Sequence, residues 1–433
     1  MWQTLFYVPA EIHGYPVFGF GLLLAVWAVV SIAVLGWQAW RHGVGPELWG
    51  YLPILLLFGA AIAFVLPAIS EPEGLPIRGY GTMMLLAVLA GTGLAIRRAR
   101  RVGIDPDFIF SLVFWMVVPG ILGARLFYII RFWPEFAQRW TDGGLGPFLG
   151  NLIDLTRGGL VVYGSFFGGV LGAWLFLRKH RVPWLAVADL LAPSMMLGLA
   201  IGRVGCLLNG CCYGEVCNHA WAVTFPAGKA PHYSPPYQAQ IERGQMYGFK
   251  LSTDPESPPK VLSIKPQSAA EKAGLKAGDV LKNVNGYAIA NTGQAYWALA
   301  DAFVHGQALH IERQGQPALA VPAIAPPPRT LPVHPTQIYS TIDALLLCLL
   351  LLAYDPFRRR EGELFALMMT VYPTTRFLIE SLRTDESAVF GTGLSIAQNI
   401  SMLLLLFAVG LWIYILRQPK GLLGKKNSLV SQS

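Results

Sequence analysis

The chain has 433 residues, of which 54% are hydrophobic and only 13% charged, with a mean hydropathy of +0.47. Soluble chains carry about a quarter charged residues, so this composition excludes a water-soluble globular protein and a disordered one alike. The net charge of +8 then has to be explained by where the basic residues lie before a nucleic-acid partner is invoked.

Apolar runs of about 17–25 residues cross the hydrocarbon core of a bilayer as helices. In chain order they predict spans at 17–40, 49–69, 79–96, 108–124, 158–177 and 186–208, then at 336–354, 362–382 and 391–416. The fold class that follows is an all-α polytopic membrane protein of about nine transmembrane helices. The first apolar run is too long for a signal peptide and lacks a basic flank and a small-residue cleavage site, so no cleaved leader is expected. AEIHGYPVFGFGLLLA near the start has the pattern of GLPIRGYGTMMLLAVLA at 74–90: a turn, a glycine–aromatic element, then an apolar helix. Gly164, Gly168 and Gly172 recur every four residues in the fifth span, which predicts close helix packing.

Basic residues cluster after the third span (Arg97, Arg98, Arg100, Arg101), the fifth (Arg178, Lys179, Arg181), the seventh (Arg358, Arg359, Arg360) and the ninth (Arg417, Lys420, Lys425, Lys426). If each span crosses once, all four clusters fall on one side. The positive-inside rule makes that side the cytoplasm, with the N-terminus outside and residues 418–433 forming a cytoplasmic tail. The positive charge is thereby assigned to topology, and no nucleic acid is expected.

Residues 215–333 are polar and rich in Pro and Gly, and the topology puts them outside. MYGFKLST is a turn running into a strand, KVLSIKP a second strand, and SAAEKAGLKAGD a short helix stopped by glycine. VLKNVNG is a strand ending in an Asn-Gly turn, and TGQAYWALADAF an amphipathic helix. This order, with AGLKAGDVLKNVNG as its most specific stretch, resembles a PDZ domain over 243–325. Such domains bind a peptide by adding it as a strand, which points here to Gly248, Phe249, Lys250 and Leu251 facing the helix near 294–302. The alternative is a spacer that caps the membrane domain.

Ionisable residues inside spans are costly and mark cavities or partners. Arg203 lies near the outer end of the sixth span. Tyr372, Arg376, Glu380 and Arg383 follow one face of the eighth at helical spacing. Arg125 ends the fourth span, and Tyr80, Tyr163 and His334 begin the third, fifth and seventh, all at the outer side. Several guanidiniums at one depth suit an anionic headgroup, because the fork matches phosphate bidentately and keeps its charge. The competing explanation is mutual neutralisation, Arg376 with Glu380 and Arg203 with Asp189. Gly158 and Gly159 form a membrane-entry turn whose backbone could also donate to an anion.

GRVGCLLNGCCYG at 202–214 adds cysteines to this end. Cys206, Cys211, Cys212 and Cys217 crowd twelve residues on the oxidising side, where disulfides are the first expectation. Free packed or catalytic thiols, a redox pair or a metal site are the alternatives, although the spacing is not a familiar four-ligand zinc pattern. Cys348 in the seventh span reads as a small core or lipid-facing residue.

The same stretch resembles the signature of bacterial phosphatidylglycerol–prolipoprotein diacylglyceryl transferases, approximately Gly-Arg-x-Gly-Asn-Phe-x-Asn-Gly-Glu-x-x-Gly. Further motifs occur in family order: RGYGTMMLLA at 78–87, GILGARLFY at 120–128, RGGLVVYGSFFGG at 157–169, HPTQIY at 334–339, YPTTRFLIESLR at 372–383 and SIAQNIS at 395–401. The resemblance covers a seven-helix core, 76–214 and 332–417, and leaves out the two helices within 1–75 and the insert. It implies transfer of the diacylglyceryl group of phosphatidylglycerol onto the thiol of a lipobox cysteine in a prolipoprotein, with glycerol phosphate released, and no metal or cofactor. It also implies that Arg203 and Arg376 hold headgroup and phosphate, with Tyr163 and Glu380 beside the chemistry. Tyr80, Arg125, Gly158, Gly159, Asn209, Gly214, His334, Gln337, Tyr372 and Arg383 would form the lipid site.

The chain departs from the family pattern at sensitive places. Tyr163 stands where the family motif has the histidine proposed to activate the thiol, and Cys206 and Cys211 stand where it has Asn and Glu. A tyrosine with an ordinary pKa near 10 is a poor base at neutral pH unless an arginine lowers it. The thiol would otherwise lose its proton to Glu380 or water. Two other classes remain open at this point: a lipid- and lipoprotein-binding scaffold, and a thiol-redox or metal protein on the same fold.

Overall fold

The computed structural model describes residues 3–43, 45–134, 136–138, 144, 146, 150, 152, 161–229, 232–383 and 392–421. In chain order the elements that matter here are β1 (Thr4–Val8), α1 (Leu22–His42), α2 (Pro46–Ala60), β2 (Leu75–Arg78), α3 (Gly79–Arg101), α4 (Pro106–Arg131), α5 (Val162–Lys179) and α6 (Trp184–Asn209). The insert contributes α7 (Pro235–Glu242), β3 (Phe249–Leu251), β4 (Val261–Ile264), α8 (Ala269–Lys272), β5 (Leu281–Val284), β6 (Tyr287–Ala288), α9 (Thr292–Val304), β7 (Leu309–Arg313) and β8 (Gln316–Val321). Helices α10 (Thr336–Tyr354), α11 (Glu363–Glu380) and α12 (Ile396–Arg417) complete the chain.

Among the described residues seven helical segments are long and apolar enough to cross a membrane: 22–41, 50–69, 79–101, 106–131, 184–209, 336–357 and 396–417. The second runs from α2 through a π-helical turn at Ala61–Val65. The stretches expected as the other two spans contain helices of 18 residues, α5 and α11. They fall short of the apolar pattern because α5 ends in Arg178 and Lys179 and α11 carries Glu363, Arg376 and Glu380.

The chain divides into two compact units. One comprises Trp2–Thr82 and Val113–Phe176. In it β1 pairs antiparallel with β2, Val8 opposite Leu75 and Thr4 opposite Arg78. The glycine stripe of α5 meets α4 backbone to backbone: a Cβ on Gly164, Gly168 or Gly172 would run into the carbonyl oxygens of Gly123, Pro119 and Trp115. The expected small-residue packing is therefore what joins these two helices.

The other unit contains Met83–Leu112 and Leu177–Ser433. Its membrane helices α6, α10 and α11 pack around Ala192, Met196, Leu347, Cys348, Leu351, Leu364 and Met368. Cys348 is a core residue, as expected. One end of this bundle is a buried polar knot. Asp189 accepts from the backbone N–H groups of Gly362 (2.7 Å) and Phe365 (2.9 Å) and from Arg358 Nη1 (3.2 Å). Arg98 donates to the carbonyls of Asp189 and Leu190 and to Asp355. Asp189 is thus no partner of Arg203: the two are 14 positions apart on α6, about 21 Å at the helical rise.

The insert has its own core, with Tyr237, Tyr247, Phe249, Leu251, Val261, Leu281, Leu299, Phe303 and Ile311 among its buried residues. β3 pairs with β4, and a four-stranded sheet runs β6-β5-β7-β8. The expected Asn-Gly turn is there, with Asn285 and Gly286 both at positive φ. The expected peptide-binding edge is not open, however. The N–H groups of Phe249 and Leu251 donate to the carbonyls of Gly244 and Arg243, so the chain's own preceding segment fills the edge of β3. Lys250 Nζ is ion-paired with Glu215, which ties β3 to the loop after α6.

Candidate active site

The site grows from the end of α6. Gly210 adopts the left-handed conformation (φ 77°, ψ 32°) that glycine tolerates, and its N–H closes on Cys206 O and Leu207 O. Arg203 lies two turns before this cap. It makes no hydrogen bond or ion pair with any described residue, and Tyr372, Cys206, Cys212 and Arg383 are the polar groups within its electrostatic reach.

Helix α11 supplies the facing side. Arg376 Nη1 lies 2.5 Å from Glu380 Oε2, and Arg383 Nη1 reaches the same oxygen at 3.4 Å. Ser395, the capping residue of α12, donates to the other carboxylate oxygen at 3.5 Å. The expected neutralisation of Arg376 by Glu380 is real, and it leaves Arg203 out. Tyr372, one turn before Arg376, takes part through its proximity to Arg203.

The turn after α6 is clamped onto α10 and the end of α11. Gln337 Nε2 donates to Cys211 O (2.7 Å) and Thr336 Oγ1 to Cys212 O (2.6 Å). Gly214 N–H donates to His334 O and Glu215 N–H to Leu382 O. Only glycine fits at 214, because a Cβ would stand 2.7 Å from His334 Cβ and 2.8 Å from Leu382 O. His334 itself points to Tyr339 OH (3.3 Å) and packs on His219, whose ring stacks on Trp221. Gly214, His334 and Gln337 therefore fix the turn after α6 in place. Thr336, Glu215 and Ser395 were missed by sequence reasoning; for the first and last, their motifs HPTQIY and SIAQNIS were the available signal.

All five cysteines are free in the structure, so the disulfides expected among Cys206, Cys211, Cys212 and Cys217 are not formed. Instead the Sγ atoms of Cys206, Cys211 and Cys212 all lie within 4.8 Å of one another, an arrangement able to hold a metal ion where none was expected. Cys217 stands apart from the group. Asn209 hydrogen-bonds to the Cys211 thiol. Cys212 has a positive φ of 59°. Its thiol is drawn well below the ordinary range by hydrogen bonds from Cys206 and Cys211 and then, against its burial, by Arg383 and Arg203.

The remaining expected residues belong to the other unit. Tyr80 is the second residue of α3 and 41% exposed. Arg125 is buried, donates to Leu152 O (3.0 Å) and lies over the rings of Tyr128 and Phe136. Tyr163 is placed by its backbone as the second residue of α5. Gly158 and Gly159 lie outside the described residues.

The family model of prolipoprotein diacylglyceryl transferases matches residues 67–414. The chain belongs to that family, one of membrane transferase enzymes. It is 30% identical to a phosphatidylglycerol–prolipoprotein diacylglyceryl transferase of Rhodopirellula baltica over 455 residues, covering 94% of this chain and 87% of the relative. That span takes in the insert. A relative of the same description from Clostridium perfringens is 27% identical over 82% of this chain and 96% of its own. One from Trichormus variabilis is 34% identical over 180 residues, 42% of this chain and 59% of its own.

Proposed function

We propose that this member of the diacylglyceryl transferase family moves the diacylglyceryl group of phosphatidylglycerol onto the lipobox cysteine thiol of prolipoproteins. The observation that carries the assignment is Arg203, a guanidinium within a membrane helix that makes no hydrogen bond or ion pair with any described residue. A partly exposed cation of that kind inside a membrane helix calls for an anionic ligand. The phosphate of the lipid is that anion, and it becomes the leaving group, so the charge Arg203 meets grows as the carbon–oxygen bond breaks. Arg376 assists from α11, held in place by Glu380, with Arg383 and Tyr372 lining the same end. Asn209, Gly214, His334 and Gln337 shape the turn against which the headgroup rests, and the family motifs give Tyr80, Arg125, Tyr163, Gly158 and Gly159 lipid-binding roles.

The protein then sits in the bacterial inner membrane. Nine crossings, counting the charged helices α5 and α11, put the four basic clusters in the cytoplasm and the insert outside. The order of its elements is what supports reading the insert as a PDZ-like module. Because its β3 edge is filled by residues 243–244, a peptide would bind there only after that segment moved.

The test is a transfer assay with labelled phosphatidylglycerol and a lipobox peptide, comparing wild type with Arg203→Ala and Tyr163→Phe. Thioether product from wild type and about 100- to 1000-fold slower formation by Arg203→Ala is the expected result. Peptide binding without product in wild type would instead mark a scaffold.

A further inference from the structure

Alkylation of a cysteine needs its thiolate, and a free thiol with a pKa near 8.5 supplies only a few per cent of that form at neutral pH. At the Arg203 end of the helical unit, the acid–base groups are already engaged. Glu380 is shared by Arg376 and Arg383, and His334 Nδ1 is hydrogen-bonded to Tyr339 OH. The feature left over is the group of three thiols. Resting on the transferase assignment above, we infer that Cys206, Cys211 and Cys212 bind a zinc ion whose fourth position receives and activates the lipobox thiol.

The geometry supports this in three ways. First, the sulfurs converge. Thiolates on one tetrahedral zinc, at about 2.3 Å from the metal, lie roughly 3.8 Å apart, and these three are within 4.8 Å of one another before any ion draws them in. Second, the convergence is held by backbone. Cys206 belongs to the last turn of α6, and the Gly210 cap folds the chain back so that the Cys211 N–H bonds to Cys206 O at 3.1 Å. Gln337 and Thr336 then fix the carbonyls of Cys211 and Cys212. Cys212 is held at a positive φ that a non-glycine residue adopts rarely, which aims its side chain at the other two. Third, the charge is matched: zinc with three thiolates carries one negative charge, and Cys206 and Cys212 lie within the electrostatic reach of the Arg203 guanidinium.

Among the described residues no fourth His, Cys, Asp or Glu joins the group. Three protein ligands with an open position is the arrangement of catalytic zinc. The lipobox thiol would displace the water there and lose its proton to bulk water, because zinc binds the thiolate form. The bound sulfur then attacks the glyceryl carbon of the lipid. A carbon–sulfur bond forms, the carbon–oxygen bond to phosphate breaks, and glycerol phosphate leaves with that electron pair beside Arg203. The neutral thioether is a poor ligand, so product departs and water returns. No oxidant or reductant is needed.

The experiment uses the full-length protein in detergent or nanodiscs. Wild type and Cys217→Ser should each carry about one zinc per chain, and Cys206→Ser and Cys211→Ser should lose it while keeping wild-type elution profile and helical signal. In the cobalt-substituted protein, a lipobox peptide should intensify the thiolate-to-cobalt absorption, and the same peptide with Ser for Cys should not. Chelator-stripped protein should transfer about 100-fold more slowly and recover with zinc. Absence of zinc, a disulfide among the three cysteines in the native protein, or copper(I) in place of zinc overturns the inference. Full transfer by stripped protein overturns zinc activation and leaves the transferase assignment standing. Zinc with a peptide-responsive cobalt spectrum but no thioether product does the reverse.

Discussion

Arg376 lies 2.5 Å from Glu380, one turn along the same helix, and the carboxylate is almost wholly buried. Arg383 shares that carboxylate from the next turn. Glu380→Gln should leave two guanidiniums confronting each other without their common anion. Removing one partner of a buried pair costs about 3–5 kcal/mol, and denaturant unfolding in micelles should show a loss of that order. A loss below about 1 kcal/mol would mean that the pair does not hold α11 together.

Arg203 should behave in the opposite way. Because it makes no hydrogen bond or ion pair with any described residue, Arg203→Ala should leave unfolding nearly unchanged and reduce kcat by about 100- to 1000-fold, the usual effect of deleting a donor to developing negative charge. Arg203→Lys should recover only part, since an ammonium keeps the charge and loses the planar fork. Normal turnover in Arg203→Ala would remove Arg203 from the reaction.

These contrasts show where sequence reasoning worked. Helices reveal themselves by apolar length and α11 by the spacing of its charges, so the pairing of Arg376 with Glu380 was legible in advance. The partner of Asp189 was not. Its acceptors are filled by backbone N–H groups of Gly362 and Phe365, and no side-chain pattern records that. The strands and helices between Tyr247 and Val304 were legible through Gly and Asn-Gly punctuation. Helix α7 was missed because PPYQAQIE has no apolar stripe, and β8 because most of its residues are exposed. Convergence of three sulfurs was hidden as well, since the spacing 206, 211, 212 acquires meaning only through the left-handed turn at Gly210.

The filled edge of β3 carries its own consequence. The amides of Phe249 and Leu251 are bonded within the chain and their side chains are buried. In hydrogen exchange of the peptide-free protein they should be protected at the level of the insert's core. Fast exchange at both positions would show that residues 243–244 leave the edge open in solution.

At the far end of α6, Asp189→Ala should strip the acceptor from Gly362, Phe365 and Arg358 together. The expected cost is again about 3–5 kcal/mol, because a buried cation and two N–H groups lose their partner. The site about 21 Å away along the helix should be spared. The folded fraction should keep wild-type KM for phosphatidylglycerol, and a large KM increase in protein that is still folded would contradict the separation of the two ends.

Gly214→Ala tests the clamp between the α6 turn, α10 and the end of α11. The new methyl carbon would stand 2.7 Å from His334 Cβ, 2.8 Å from Leu382 O and 3.0 Å from Thr336 Cγ2, so the backbone at Leu382 and the side chains of His334 and Thr336 must give way. Overpacking of this kind costs about 1–3 kcal/mol. Displacing Thr336 would also release Cys212 O, so bound zinc should fall along with stability. Gly93→Ala is the matched control: nothing lies within 4 Å of its added carbon in helix α3, and there alanine should stabilise by up to about 1 kcal/mol. If thermal unfolding and zinc content did not distinguish the two variants, the turn after α6 would not be the clamped wall that positions the cysteines.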